Sequence, residues 1–245
     1  MGKVLILGAN SDIALACAAK FTNAGHDLIL ASRSLDRLNT FKSKSESDMG
    51  ITVDVRSFDA TDFDQHPVFF DEIKQDVDVA ILAFGSYPDQ QDAFVDFNIA
   101  RAILEVNFLG AVSICNLIAR EFQQRKAGII IGISSVAGDR GRAKNFIYGS
   151  SKAGFTAYLS GLRNALFPSG VHVCSVIPGF VDTKMTKDLD LKPALTASPE
   201  EVAHAIYTYA FKKKRNVVYV KPIWRWIMLV IQWMPEFIFK RLKIG

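Results

Sequence analysis

The stretch LGANSDIALA, residues 7–16, follows the apolar run KVLIL and opens a segment of helical periodicity. A strand turning directly into a helix is the unit of a parallel sheet, and such a turn presents backbone N–H groups and a helix N-terminus to a bound phosphate. Gly8 permits the turn and a close approach of an anion. In a Gly-x-x-x-Gly-x-Gly loop the other glycines would stand at positions 12 and 14, where this chain has Asp12 and Ala14. Alanine is a mild change, whereas aspartate puts a charge beside the anion. The loop alone therefore fits either a dinucleotide cradle or a plain turn, with Asp12 as the expected helix cap and Ser11 and nearby amides as the expected phosphate contacts.

Outward from this loop, short β-rich runs recur: KVLIL, DLILAS, ITVDV, VDVAILAF, GIIIGIS, VHVCSVI and NVVYV. Most are separated by segments of helical spacing, so the pattern predicts an α/β fold. It is a single Rossmann-like, doubly wound domain with a seven-stranded parallel sheet and helices on both faces. Ile103, Val106, Ala111, Ile114, Leu117, Ile118 and Phe122 mark one long helix; Phe155, Tyr158, Leu159, Leu162 and Leu166 mark another. Ser198-Pro199-Glu200-Glu201 supplies an N-cap, an N1 proline and a capping-box glutamate for a further helix. The expected division is a catalytic, dinucleotide-binding domain over residues 1–222 and an amphipathic helical extension over 223–245.

Of 245 residues 49% are apolar, enough for a substantial core. Cys17, Cys115 and Cys174 lie in apolar runs without a Cys-x-x-Cys pair, and His26, His66, His172 and His204 lack ligand spacing. Neither a disulfide framework nor a metal site is expected. The first strand begins near Lys3, leaving no room for a secretory leader, so a cytoplasmic protein is expected.

Charge is unevenly placed. Residues 211–245 hold nine of the 29 Lys and Arg but one of the 25 Asp and Glu, so this segment carries +8 and residues 1–210 carry −4. The basic residues flank an apolar run instead of covering a polar face, which argues against nucleic-acid binding.

After the second strand, Ser32 occupies the slot where an acidic residue would hold ribose hydroxyls, and Arg33 follows. Arg33, with Arg37, suits a 2′-phosphate, so NADP(H) is favoured and NAD(H) is the alternative. Asp59, after the third strand, is the candidate adenine contact, with Asp54 and Asp62 close by. The candidate cofactor set in the first loop is Gly8, Asn10, Ser11, Asp12 and Ile13.

The chemistry lies in ISSVAGDRGRAKNFIYGSSK, residues 133–152. Tyr148 and Lys152 are four apart at a helix start and share a face. A neighbouring ammonium favours phenolate, which makes Tyr148 an acid and base at neutral pH. Tyr209 and Lys213 repeat the spacing, but they precede KKKR and follow no hydroxyl-rich strand end, so they read as a solvated face. Ser134 and Ser135 end a strand on the ligand-binding edge, Asn107 sits on the preceding long helix where its amide can hold a water linked to Lys152, and Pro178-Gly179 lets backbone and Thr183 approach a nicotinamide.

Together these residues resemble the short-chain dehydrogenase/reductase family over about residues 3–220. The resemblance implies that Tyr148 donates the proton, Lys152 lowers its pKa and binds ribose, Ser135 polarises the carbonyl and Asn107 completes a relay. In that family the serine stands thirteen residues before the tyrosine, which selects Ser135 over Ser134. It also implies that Tyr148, Lys152, Pro178, Gly179 and Thr183 contact the cofactor. LAFG, residues 82–85, departs from the family's Asn-Asn-Ala-Gly, as does the glycine-poor first loop. The Gly-x-x-Ser-acidic-Ile-Ala loop, LTASPEEVA and the C-terminal run are similar to a branch that includes the keto-reductase of decaprenylphosphoryl pentoses.

Trp224, Trp226 and Trp233 all fall in IWRWIMLVIQWMPEFIFKRLKI, whose uncharged stretch, residues 226–235, is half of the roughly 20 residues needed to span a bilayer. Flanked by Arg225, Lys240, Arg241 and Lys243, this segment is expected either to lie on an anionic membrane surface or to wall the substrate pocket or a subunit contact. The expected reaction is hydride exchange between NADP(H) and a small-molecule or lipid-linked ketone or secondary alcohol. The alternatives are a silent NADP-binding sensor and a membrane-surface adaptor. Gly154, Ala157 and Gly161 on one helix suggest pairing into a homodimer or homotetramer.

Overall fold

The computed structural model describes residues 2–187 and 192–242, so Lys243 lies outside the described residues. Seven strands form one parallel sheet: β1 (Lys3–Leu7), β2 (Leu28–Ser32), β3 (Val53–Ser57), β4 (Val77–Leu82), β5 (Ile129–Ile133), β6 (His172–Ile177) and, at the edge, β9 (Val217–Tyr219). Their spatial order is β3-β2-β1-β4-β5-β6-β9. Between β6 and β9 the short strands β7 (Phe180–Val181) and β8 (Thr196–Ala197) pair with each other.

The central runs are nearly all apolar because alternate residues enter two cores, whereas the edge strand β3 carries Asp54, Arg56 and Ser57. Val4 and Ile6 pack with Ala14, Cys17 and Phe21 of α1 (Asp12–Thr22), Leu38 of α2 (Asp36–Met49) and Val202 of α8 (Pro199–Ala205). Leu5 and Leu7 face the other way. They pack with Phe70 of α3 (Gln65–Ile73), Ile114, Ile118 and Phe122 of α6 (Ala111–Arg125), and Phe155 and Leu159 of α7 (Phe146–Leu166). Burial on both faces is what a parallel strand requires.

The chain crosses from β3 on one side of β1 to β4 on the other, which opens a crevice beyond the carboxyl ends of β1 and β4. The register brings Leu7 beside Leu82, Leu82 beside Gly132 and Ile133 beside Val176, so four strand ends share one edge.

The long helix expected around residues 103–122 is not uniform. After α4 (Gln90–Val95), α5 (Phe97–Leu104) runs into a π-helical turn, Glu105–Gly110, before α6. Such turns reorient side chains and often mark functional sites; this one carries Asn107. The capping box expected at residue 198 is present, with Ser198 and Glu201 exchanging backbone hydrogen bonds at the start of α8. The last elements are α9 (Ile223–Trp233) and α10 (Glu236–Phe239).

Candidate active site

The cleft at the shared strand edge encloses about 310 Å³. One wall is the first loop. Gly8 has φ of +77°, and a Cβ there would lie 2.6 Å from Phe84, so glycine is required for both conformation and space. Ser11, and not Asp12, caps α1: its hydroxyl accepts from the Ala14 N–H at 3.2 Å. Ser and Asp are equally good caps, and the helix starts one residue earlier than the sequence suggests. Asp12 instead accepts from the Lys184 N–H at 3.0 Å and faces Arg37 at 3.4 Å.

Asn10 donates to Ser32 Oγ at 3.1 Å and to the Ser34 carbonyl, while its own Oδ1 is buried without a partner. Asn10, Ser11, Asp12, Ile13 and Arg37 line the cleft.

Ser32, Arg33 and Asp59 stand away from its walls. Arg33 is exposed at the end of β2. The Asp59 carboxylate accepts from the N–H and hydroxyl of Thr61 at 2.9 and 2.8 Å, which holds its pKa below the usual range. Asp54 is paired with Arg56 at 2.9 Å.

Opposite the first loop, β5 and α7 bring Ser135, Tyr148 and Lys152 together. The two serines separate in role. Ser134 is 2% exposed and bonded to the Lys152 carbonyl and the Thr156 hydroxyl. Ser135, whose hydroxyl accepts from the Ala137 N–H at 3.1 Å, faces both the main cleft and an adjoining chamber.

Lys152 Nζ donates to the Ile133 carbonyl at 3.1 Å and lies 5.9 Å from the centre of the Tyr148 ring. Burial lowers the lysine pKa to about 8. Burial also pushes the Tyr148 phenol up to about 12, with the Ser135 hydroxyl opposing the rise and Tyr87 adding to it. The sequence leads one to expect a lowered phenol. In this enclosure burial of the phenolate is the leading influence, and it raises the phenol instead.

Asn107 is 1% exposed. Its Oδ1 accepts from the Ser86 N–H at 2.7 Å, and its Nδ2 donates to the Ser86 carbonyl and to Ser151 Oγ at 3.1 Å. Gly85 separates it from the lysine: a Cβ there would be 3.3 Å from Asn107 Oδ1 and 3.5 Å from Lys152 Nζ. The departure LAFG thus places its glycine between two polar heads.

Pro178, Gly179 and Thr183 line the far side. At Gly179 the governing neighbour is Trp224, since a Cβ would come within 2.0 Å of its indole. That indole N–H donates to the Leu195 carbonyl at 2.9 Å, and Trp224, Met228 and Ile231 of α9 pack on Val136 and Ile177. Arg140 clasps the end of the same helix. It donates to the Ile231 and Met234 carbonyls, pairs with Glu236 at 2.8 Å and lies 3.8 Å from the centre of the Phe239 ring. The helix α9 therefore backs the segments that line the cleft, while none of its own residues lines the cleft or the chamber beside it.

The adjoining chamber, about 80 Å³, is lined by residues that sequence reasoning passed over, among them Tyr87, Arg142, Asn145 and Met185. Tyr87 meets Tyr148 edge-on at 4.7 Å between ring centres. A polar loop such as GDRGRAKN carries no periodicity to show which of its cations turns inward. Tyr209 and Lys213 lie outside both spaces, the ammonium 5.3 Å from the ring centre.

The family model described as short chain dehydrogenase matches residues 2–194. An uncharacterised oxidoreductase of Streptomyces coelicolor is 35% identical over 248 residues, covering 98% of this chain and 96% of its own. Another, from Mycobacterium tuberculosis strain H37Rv, is 33% identical over 242 residues with the same coverage. A short chain dehydrogenase from Burkholderia cenocepacia J2315, solved in complex with NADP, shares the fold with a TM-score of 0.82 at 21% identity, over 100% of this chain and 98% of that one. With the doubly wound sheet and the matched length taken together, the chain belongs to the short chain dehydrogenase family.

Proposed function

We propose that this oxidoreductase exchanges hydride between NADP(H) and a ketone or secondary alcohol, with Tyr148 moving the proton. The observation that carries the reading is the convergence of Ser135, Tyr148 and Lys152 on one cleft, whose opposite wall is the N-terminus of α1. The residues fit a dinucleotide: Gly8 clears the approach, the first-turn amides of α1 suit a pyrophosphate, and Asn10 Oδ1 is buried with no partner. Ser32 at the end of β2 and the exposed Arg33 beside it favour a 2′-phosphate, and Asp59 is the adenine-side residue.

The bound nicotinamide supplies or accepts the hydride. In reduction the Ser135 hydroxyl donates to the carbonyl oxygen and Tyr148 passes its proton to that oxygen as the carbon gains hydride. Lys152 keeps N–H groups beyond the one given to Ile133 for the ribose and for charge balance at the phenol. Asn107 positions the Ser86 backbone and Ser151, and Ser151 in turn donates to the Tyr148 carbonyl at 2.7 Å. Replacing Tyr148 with Phe is expected to lower turnover by about 10²–10⁴-fold while NADPH still binds; turnover near the wild-type rate would reject the assignment.

A lipid-linked or otherwise lipidic substrate at a membrane surface is the finer reading. It is supported by the outer face of α9, where Trp226, Val230 and Trp233 are 65%, 65% and 81% exposed beside the exposed Arg225. Flotation with anionic liposomes is expected to carry the wild-type protein and to lose a Trp226→Ser/Trp233→Ser variant; equal behaviour of the two removes this reading. Small exposed residues Ala157 and Gly161 on α7 favour a two-fold pairing of copies, which sedimentation of an Ala157→Arg variant against wild type tests.

A further inference from the structure

Arg142 stands between Ser135 and Tyr148 in sequence and beside both in the small chamber. It is 7% exposed, yet among the described residues its guanidinium makes no hydrogen bond and no ion pair within 4.0 Å, and its Nε is buried without a partner. Burial lowers its pKa. The Asp139 carboxylate lies near enough to favour the charged form, but it accepts from the Tyr219 hydroxyl at 3.1 Å. A further polar atom in the same chamber, Asn145 Oδ1, is also buried and unpartnered.

A largely buried guanidinium whose Nε meets neither a protein acceptor nor solvent is costly, and a fold does not gain stability by keeping one. Its planar fork of donors matches a carboxylate or phosphate, and the pairing is strongest where water is excluded. We propose that the substrate is an acidic carbonyl compound, whose carboxylate or phosphate docks on Arg142 while its carbonyl reaches Ser135 and Tyr148. This rests on the reading of Tyr148 as proton donor. Arg142 binds and orients; it transfers no proton. The Asn145 carboxamide oxygen suits a hydroxyl or amide donor elsewhere on the same molecule.

Two measurements test it. The NADP⁺-loaded protein is titrated calorimetrically with benzoate, phenylphosphonate and neutral benzamide. The two anions distinguish carboxylate from phosphate. At least one is expected to bind tenfold or more tightly than the amide, and Arg142→Met is expected to erase that preference, with Arg142→Lys between. NADPH oxidation is then followed with a panel of keto acids and their methyl esters, where the acids are expected to be favoured tenfold or more in kcat/KM, mainly through KM, in wild type alone. Equal binding of anions and amide, a preference surviving in Arg142→Met, or a lowered melting temperature of that variant, which would mark a structural role, overturns the proposal. The Tyr148→Phe variant separates the two readings: it is expected to keep anion binding while losing turnover, and retained turnover there would sink the proton-donor role alone.

Discussion

The backbone N–H of Lys184 donates to Asp12 Oδ2 at 3.0 Å, tying the turn after β7 to the first residue of α1 across 172 positions of sequence. Asp12 thus does in this chain what a glycine at that position cannot, since it closes the cleft on its outer side. The cost is a negative charge beside the expected pyrophosphate, offset in part by Arg37.

Asp12→Asn keeps an acceptor for Lys184 and removes the charge. Relief of about 1 kcal/mol of repulsion at this half-screened site corresponds to about fivefold tighter NADPH binding. Isothermal titration of the two proteins measures it. Weaker binding in the variant would show that the clasp matters more than the charge.

Lys152 makes stability depend on pH. Its pKa falls from an ordinary 10.5 to about 8 in the fold, so the folded state binds the proton less well than the unfolded chain. The cost is fully present below pH 8 and fades as pH rises towards 10.5. Without cofactor, Lys152→Met is therefore expected to be more stable than wild type at pH 7, by up to about 3 kcal/mol, though inactive. Buried Cys17, Cys115 and Cys174, pushed up to about 12, act oppositely at high pH but equally in both proteins, whereas Tyr148 lies against the lysine, so the two proteins are compared in a Tyr148→Phe background. The difference between the two urea curves isolates the lysine, and it should shrink between pH 8 and 10.5.

Arg33 is exposed and free of ion pairs among the described residues, so its replacement leaves the fold intact. Arg33→Glu is expected to lower kcat/KM for NADPH by at least about tenfold, the loss of one charge-assisted pair plus new repulsion, while NADH is little affected or improved. Steady-state comparison of the two cofactors reads the ratio.

Gly179→Ala would drive a methyl group into Trp224. Overpacking of this kind costs about 1–3 kcal/mol, and here the wall of both chambers shifts with it. Denaturant midpoints and kcat/KM are expected to fall together, and adding Trp224→Leu is expected to recover part of the stability, giving a coupling that a double-mutant cycle reveals.

Much of this was legible in the chain. The central strands announce themselves because burial on two faces demands nearly unbroken apolar runs, and the edge strands β3 and β9 by their β-branched residues. Tyr148 and Lys152 announce themselves because a helix brings residues four apart onto one face. What escaped depends on depth or on distant partners. The π turn carrying Asn107 differs from an α turn by a hydrogen-bond offset that leaves no mark in residue type. Gly179 reads as a turn residue until Trp224, 45 positions later, is seen to need its space. The raised phenol of Tyr148 follows from enclosure, which no local spacing encodes, and Arg142 looks like one more solvated cation in a polar loop.

Through Trp224 against Gly179, and Arg140 around the end of α9, the last helices buttress the two segments that flank Tyr148. A protease that nicked the backbone just beyond β9 would accordingly inactivate the enzyme instead of merely trimming an appendage. Limited digestion should show activity and the intact C-terminus vanishing at one rate.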